Sequence, residues 1–310
     1  MSLRARVLPP LLLGAALVSA QEPPRFRAGV DAVRVDVLVV DHDRPVAGLT
    51  ASDFELRDTG VVQRVAAISY EDEPIRVMLA LDTSYSVDGQ PLAHLRQAAA
   101  AALDLLTPRD RGAVMTFSSE IDMACAWTGE RSLLSRALDR RSGYGGTALH
   151  DAAFAAIVSR DTVPGRGLIL LFSDGEDTAS WLPGETVLEA ARRTDAVVYV
   201  VGVPTRRKFA IAGFRLDVSS GIQRPAKNHS PVPLLEPLLP ALARETGGKF
   251  VDAERTSRLQ EVFTAILREF RTRYVLTYTP EDVPSGGWHP IEVKMKGRKG
   301  KVTARRGYLR

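Results

Sequence analysis

The segment LALDTSYS, residues 79–86, ends a largely apolar run that begins at Ile75. A continuous apolar run of this length is typical of a strand buried on both faces of a parallel sheet. Asp82, Ser84 and Ser86 then bring a carboxylate and two hydroxyls to the point where the strand ends. The segment therefore predicts an element of the fold and a group of oxygen-bearing side chains at its end.

Similar apolar runs recur along the chain and alternate with helical patterns. The predicted strands of this part are residues 75–81, 112–117, 121–127, 168–172, 196–203 and 249–251. The predicted helices are residues 91–106, 131–139, 147–159, 185–193, 234–245 and 259–270. Buried strands separated by helices indicate an α/β domain over residues 73–271. We expect a doubly wound, mostly parallel, six-stranded sheet with helices on both faces, a Rossmann-like arrangement.

The segments on either side of this domain have β patterns and no helical period. We predict strands over residues 33–41, 54–56 and 61–70, and again over residues 274–278, 291–295 and 302–308. Neither segment has enough strands to form a stable sheet by itself. Residues 21–72 and 272–310 are therefore expected to pack together as one small accessory β-domain. Residues 204–233 are rich in proline, and we predict an exposed excursion there.

The first twenty residues have the pattern of a cleaved secretory signal peptide. Arg4 and Arg6 precede a short apolar run, and small residues end it at Ala20. This pattern predicts cleavage after Ala20 and a secreted or periplasmic protein. The apolar run is short and contains two prolines, so a membrane anchor is disfavoured, and no later stretch reaches spanning length. No transmembrane segment is therefore expected in the mature chain.

Charge and cysteine content exclude some classes of function. Removal of residues 1–20 takes away two arginines and no acid, so the formal net charge falls from +4 to +2. This small excess gives no support for nucleic-acid binding. Cys125 is the single cysteine, so the chain cannot form an internal disulfide.

The polar groups that follow the predicted strands are all oxygen ligands. Asp82, Ser84 and Ser86 follow one strand, Asp174 follows the strand LILLF, and Thr147 stands at a predicted helix start. In open α/β sheets, ligands bind beyond the carboxyl ends of the strands. Two carboxylates and three hydroxyls, without His or Cys, favour Mg²⁺, Mn²⁺ or Ca²⁺ over zinc or copper.

These motifs, in this order, resemble the metal-ion-dependent adhesion site of von Willebrand factor type A domains. The resemblance rests on D-x-S-x-S after an apolar strand, a later G-T-A-L, and an apolar strand that ends in S-D-G. It implies that Asp82, Ser84, Ser86, Thr147 and Asp174 take the five metal-coordinating positions. It also implies a protein-binding, adhesion-type module rather than an enzyme, whose open coordination position takes a carboxylate from a partner protein.

The chain is also similar to a secreted bacterial subfamily of such domains, described from Acidobacteria. The motifs that carry this similarity are VDVLVVD, PVAGLTASDFEL, LLFSDGEDT, ARRTDAVVYVVGV, ETGG, YVLTYTP and RRGY, and they span nearly all of the expected mature chain. One position departs from the subfamily, which usually has glycine where Tyr85 stands. Glycine allows positive φ there and tyrosine resists it, so this departure bears on metal affinity.

Two alternative functions stay open at this stage. The first is a structural scaffold of the same fold that no longer binds metal, which the departure at Tyr85 suggests. The second is a magnesium-dependent phosphohydrolase of the haloacid-dehalogenase type, with Asp82 as the nucleophile. That family needs a second acid two residues after the nucleophile, where this chain has Ser84. It also needs a Lys or Arg that supports the phosphate, and no candidate in this sequence stands in a fitting motif.

Overall fold

The helices and strands are taken from a computed structural model, which describes residues 32–42, 44–70, 73–139, 145–202, 214–216, 223–225 and 238–310. The helices are α1 (Gln90–Leu103), α2 (Arg131–Leu138), α3 (Leu149–Asp161), α4 (Gly184–Arg193), α5 (Leu238–Glu245) and α6 (Leu259–Arg271). The strands are β1 (Val33–Asp41), β2 (Arg44–Pro45), β3 (Phe54–Asp58), β4 (Val61–Gln63), β5 (Ala67–Tyr70), β6 (Ile75–Asp82), β7 (Arg111–Phe117), β8 (Ile121–Thr128), β9 (Arg166–Ser173), β10 (Val197–Gly202), β11 (Phe214–Leu216), β12 (Gln223–Pro225), β13 (Phe250–Asp252), β14 (Tyr274–Tyr278), β15 (Trp288–Met295), β16 (Lys301–Thr303) and β17 (Gly307–Leu309). The expected signal peptide and most of the expected excursion over 204–233 lie outside the described residues.

Six strands form the central sheet in the order β13-β10-β9-β6-β7-β8. All neighbours are parallel except β7 and β8, which are antiparallel. Every residue of β9 and β10 is buried, as expected for strands covered on both faces. Helices α1, α2 and α6 bury apolar side chains against one face, and α3, α4 and α5 against the other. The predicted doubly wound α/β fold is confirmed.

The register of the central sheet brings several strand ends to one level. Asp82 lies opposite Phe117 of β7, and Leu81 lies opposite Phe172 of β9. The last residue of β6 therefore stands beside the ends of both neighbouring strands. We call this side of the sheet, with the loops that follow β6, β7 and β9, the carboxyl edge.

The terminal segments share two further antiparallel sheets. One has the order β16-β1-β14-β5, with β2 paired to β1, and the other has the order β17-β15-β3-β4. Val33 of β1 pairs with Tyr278 of β14, and Leu56 of β3 pairs with Val293 of β15. A single apolar cluster fills the space between the two sheets. We call residues 32–70 and 274–310 together the β-domain.

Two of the predicted strands are wrong, because each divides between the two sheets. Residues 302–308 form β16, which pairs with β1, and β17, which pairs with β15. Between them lies buried Arg305, which donates to the carbonyl oxygens of Gly307 (2.7 Å) and Arg192 (3.0 Å). The predicted strand over 61–70 likewise becomes β4 and β5, which pair with β3 and β14.

The β-domain contacts the amino end of the central sheet. Arg166, the first residue of β9, is buried and forms an ion pair with Asp36 of β1 at 2.7 Å. The same guanidinium donates to the Phe270 carbonyl and stacks on the Phe270 ring at 4.4 Å.

No helix among the described residues has both the length and the apolar content that a membrane crossing needs.

Candidate metal centre

Asp82 is a fully buried carboxylate, held in one orientation at the end of β6. The Ser84 N–H donates to its Oδ1 at 2.9 Å, and the Ser173 hydroxyl donates to its Oδ2 at 2.9 Å. The Ser173 Oγ in turn accepts a hydrogen bond from the Gly175 N–H at 3.0 Å. The end of β9 therefore positions the carboxylate at the end of β6.

The loop after β6 places two hydroxyls next to this carboxylate. Thr83 donates from its N–H (2.8 Å) and its hydroxyl (3.1 Å) to the Phe117 carbonyl, which fixes the loop to β7. Ser84 is buried, Ser86 is half-buried, and their Oγ atoms lie 3.1 Å apart. Asp82, Ser84 and Ser86 thus form one connected group of oxygen atoms.

Tyr85 stands in this loop without backbone strain. It begins a short 3-10 turn, Tyr85–Val87, and it is absent from the described residues with positive φ. The left-handed position of the loop is instead Gly89, with φ of 79°. The Tyr85 side chain is 64% exposed and so extends into solvent. The departure from glycine at this position therefore leaves the loop conformation available.

Thr147 lies between the loops that follow β7 and β9. It is 4% exposed, and its N–H donates to the Thr178 hydroxyl at 2.8 Å. The next residue, Ala148, donates from its N–H to the Ser118 carbonyl at 2.7 Å. A Cβ on Gly146 would lie 2.6 Å from the Thr178 Oγ1, so glycine permits this close approach. Helix α3 begins at Leu149, not at Thr147 as predicted, so Thr147 is a loop residue.

Asp174 begins the loop after β9, and the first turn of α3 holds this loop. Asp174 is 1% exposed. Further along, the Asp177 Oδ1 accepts hydrogen bonds from the Leu149 N–H (2.9 Å) and the Ser180 hydroxyl (2.5 Å). The Asp151 carboxylate accepts hydrogen bonds from the Trp181 and Leu182 N–H groups, both at 2.9 Å. Asp177 therefore caps a helix that precedes it in sequence.

The electrostatics of the two buried carboxylates favour a cation between them. Burial raises the pKa of Asp82, hydrogen bonds from Ser84 oppose this rise, and the Asp174 charge adds to it, which brings the pKa to about 6. Two carboxylates that raise each other's energy are stabilised when a dication offsets their charge. Their oxygens, with the nearby hydroxyls, are donors of the kind that Mg²⁺, Mn²⁺ and Ca²⁺ prefer, so the residues fit such an ion.

Asp82 is the last residue of β6, and the other four predicted ligands stand on loops at or beside the carboxyl edge. Within the described ranges, no group of three or more His, Cys, Asp or Glu side chains could hold a metal. A metal at this edge would therefore depend on hydroxyl oxygens from Ser84, Ser86 and Thr147 in addition to the two carboxylates. That composition is the one the sequence motifs predict, and the assignment of the five residues as ligands stays a prediction.

Sequence reasoning missed the residues that hold this arrangement in place. Ser173 enters the sequence prediction only as part of S-D-G, although its hydroxyl fixes the Asp82 carboxylate. Thr83 lies between the motif positions Asp82 and Ser84 and has no role in the motif, although it ties the loop to β7. Ser173 stands at the end of an apolar strand beside Asp174, and this placement was the available signal. Asp151 and Ser180 gave no local signal, because their partners lie in other loops.

Comparisons with known proteins bear on the α/β part of the chain. Residues 77–221 match the family model for the von Willebrand factor type A domain. An uncharacterized protein from Synechocystis sp. is 27% identical over 157 residues, which cover 47% of this chain and 35% of that protein. The chain thus aligns with about a third of that relative's length.

Solved structures show the same fold at low sequence identity. A von Willebrand factor type A structure from Catenulispora acidiphila covers 83% of this chain and 73% of its own, at 14% identity and a TM-score of 0.51. Proximal thread matrix protein 1 from the mussel byssus, with a zinc-occupied metal-ion-dependent adhesion site motif, covers 70% of this chain and 50% of its own. Its identity is 13% and its TM-score is 0.50. The family match over residues 77–221, the doubly wound sheet and these likenesses agree on a von Willebrand factor type A fold for the α/β part of the chain.

Proposed function

We propose that this chain is an exported, metal-dependent protein-binding module. Its metal ligands are Asp82, Ser84, Ser86, Thr147 and Asp174, and its ion is Mg²⁺, with Mn²⁺ and Ca²⁺ as alternatives. The observation that carries the proposal is the pair of buried carboxylates at the carboxyl edge, where the Asp174 charge contributes to the raised pKa of Asp82. Domains of this family are generally interaction modules rather than enzymes, which agrees with this assignment.

The charge balance of the ligand set explains how such a site would take a partner. Two carboxylates offset a dication, and hydroxyl oxygens fill further positions without adding charge. Mg²⁺ prefers six oxygen ligands and keeps part of its shell for water or substrate. When bound, the ion supplies a positive centre that accepts a carboxylate oxygen from another protein. The mussel protein with zinc at this motif supports the view that the fold can hold a divalent ion there.

Three features of this chain would orient the bound ion and the partner. The Ser173 hydroxyl and the Ser84 N–H fix both oxygens of Asp82. Thr83 holds the Ser84–Ser86 loop against β7.

The N-terminal sequence pattern supports export, so the proposed place of action is the cell exterior or the periplasm. The proposed ligand there is an acidic residue of a partner protein.

Calorimetric titration with Mg²⁺, Mn²⁺ and Ca²⁺ tests the metal part of this proposal. We expect wild-type protein to bind at least one of these ions and Asp82→Ala to bind none. A chain that binds none of the three ions would instead be the structural scaffold.

A capture experiment with envelope extract tests the partner part. Immobilised wild-type chain should retain a protein in Mg²⁺ and release it in EDTA, while immobilised Asp82→Ala should retain none of it. Retention that is equal in Mg²⁺, in EDTA and on Asp82→Ala would contradict metal-dependent binding.

A further inference from the structure

The two most exposed large apolar side chains of the described residues both stand at the carboxyl edge. Trp181 is 94% exposed and lies in the loop after β9, and Tyr85 is 64% exposed and lies in the loop after β6. Ile121, 36% exposed, pairs with Phe117 where β7 ends. We call Tyr85, Ile121 and Trp181 the apolar rim. Two loops that carry predicted ligands, and the first residue of β8, thus each present an apolar group to solvent.

Trp181 is exposed on a backbone that is firmly held. Its own N–H and that of Leu182 donate to the two oxygens of Asp151 in α3. The Ser180 hydroxyl oxygen accepts hydrogen bonds from the N–H groups of His150 (3.0 Å) and Asp151 (3.2 Å). Because the backbone is already ordered, covering this side chain costs little further backbone entropy, and mainly the rotamers of Trp181 itself have to be fixed. Aromatic residues presented in this way are enriched among the residues that dominate binding energy.

Tyr85 is held in a comparable manner in the loop after β6. The 3-10 turn that contains it closes through a hydrogen bond from the Val87 N–H to the Ser84 carbonyl at 3.1 Å. The Val87 side chain is buried and anchors the turn in the core. Tyr85 therefore stands between two predicted metal ligands, while Trp181 stands on the loop that begins with a third.

The exposed acids on the same loops limit how much negative charge a partner segment can carry. Asp88, Glu120 and Glu176 are exposed acids on the loops that follow β6, β7 and β9. A bound dication would offset Asp82 and Asp174 and would leave these outer acids in place. One partner carboxylate directed at the ion is attracted, whereas further acids beside it would meet like charge.

We propose that the partner segment carries one carboxylate flanked by apolar side chains, and that Trp181 and Tyr85 contact those flanking side chains. This inference rests on the proposed function, because the carboxylate is bound by the ion. It adds the partner chemistry, which is a single acid in an apolar context and not an acidic run.

Displayed peptides provide the direct test on the full chain. The probes are random heptapeptides with a fixed central Asp and a matched library with a central Asn, bound in Mg²⁺ and eluted with EDTA. We expect EDTA to elute peptides of the Asp library, with aromatic and aliphatic residues enriched next to the Asp and acids depleted. If EDTA elutes no enriched Asp peptides, both the proposed function and this inference fail. If it elutes Asp peptides without apolar neighbours, this inference alone fails.

The enriched peptide, made synthetically, is then titrated against variants of the rim. Trp181→Ala should bind it at least about tenfold more weakly, and Tyr85→Ala should weaken it by about threefold or more. Trp181→Phe, which keeps a ring, should retain more affinity than Trp181→Ala. The control is Trp288→Ala, because Trp288 is also partly exposed but belongs to the β-domain. Equal affinity of wild type and Trp181→Ala for the peptide would overturn the inference. Mg²⁺ binding is measured for Trp181→Ala and Tyr85→Ala as well, and an unchanged value shows that the ion site is intact.

Discussion

Asp58 in the β-domain and Asp82 at the carboxyl edge are both fully buried aspartates, yet their surroundings act on them in opposite directions. Asp58 accepts hydrogen bonds from the hydroxyls of Tyr278 (2.8 Å) and Tyr308 (2.9 Å), and His289 Nδ1 lies 2.9 Å from its other oxygen. Burial alone would raise the pKa of Asp58, but hydrogen bonds from these side chains and Thr59 outweigh it and lower the pKa.

Asp82 has fewer donors, and a second carboxylate lies nearby. Burial and the Asp174 charge raise its pKa to about 6, even though Ser84 and Ser173 donate hydrogen bonds to it. A buried carboxylate that is well supplied with donors holds a structure together. A buried carboxylate that faces another carboxylate instead marks a place where a cation stabilises the protein. The difference separates a structural cluster from a candidate site within one chain.

The strongest test of the structural half of this comparison is Asp58→Ala. This change leaves the hydroxyls of Tyr278 and Tyr308 buried without their acceptor, so we expect the free energy of unfolding to fall by roughly 3–5 kcal/mol. Urea denaturation measures the change. Tyr308→Phe is the matched control, since it removes one donor and should cost about 1 kcal/mol. A loss below about 1 kcal/mol for Asp58→Ala would show that the cluster is not structural.

The proposed metal site around Asp82 is tested by removing the other buried carboxylate, that of Asp174. Asp174→Ala should weaken Mg²⁺ or Mn²⁺ binding at least about 100-fold, because one of two charged ligands is lost. Isothermal calorimetry measures this affinity. Asp88→Asn removes an exposed acid from the neighbouring loop and should change the affinity by less than about threefold. Equal effects of the two changes would mean that general negative charge, and not ligation by Asp174, attracts the ion.

The opposite pKa shifts of the two aspartates predict opposite responses to pH in EDTA. The pKa of Asp82 is about 6 in the folded chain, against about 3.9 when unfolded, so the folded state holds more protons between these values. Its contribution to stability is therefore present below pH 4 and is lost as the pH rises through 6, by roughly 2–3 kcal/mol. Thermal or urea unfolding of wild type and Asp82→Asn at pH 4 and pH 7 measures it. The variant should gain stability relative to wild type at pH 7, and parallel curves would contradict the raised pKa.

Asp58 responds with the other sign. Because its folded pKa is lowered, its contribution is present above the unfolded value and is lost as the pH falls below about 4. Asp58→Asn should therefore show a weaker loss of stability than wild type in this acidic range. A steeper loss in the variant would contradict the assignment of donors around Asp58.

The smallest expected effect belongs to Tyr85. Since its backbone is unstrained and its side chain is exposed, Tyr85→Gly should change Mg²⁺ affinity by less than about threefold. Calorimetry under the conditions used for Asp174→Ala gives the comparison. A large gain in affinity would show that tyrosine at this position weakens the site, in favour of the structural scaffold.

The sequence predicted the central sheet well because its inner strands are apolar on both faces. The predicted strands over residues 75–81 and 168–172 lie within β6 and β9, and the strands over 33–41 and 274–278 coincide with β1 and β14. The predicted strand over 302–308 was wrong, since alternation within a segment does not show which sheet each residue joins. Buried Arg305 interrupts it, and its partners are carbonyl groups that no sequence pattern indicates.

The candidate site was predicted in part. The ordered motifs predicted five oxygen ligands, because each stands close after a predicted strand or at a predicted helix start, and this assignment stays a prediction. The supporting contacts of Thr83, Ser173 and Asp177 depend on register between strands and on loop packing, which a single sequence does not reveal. The Asp58 cluster was missed for the same reason, since Tyr278, His289 and Tyr308 meet it only after distant strands pair.

The pairing of β1 with β14 also sets the order in which the chain can fold. Val33 is made early, but its partner Tyr278 is made only after the whole α/β domain has been synthesised. The paired strands of the central sheet are closer in sequence than β1 and β14, so this sheet can form first, whereas the β-domain closes contacts of longer range and forms late. Until then β1 and β3 lack these partner strands, and unpaired strand edges can pair with other chains. Completion of the later strands is thus the step that protects the earlier ones.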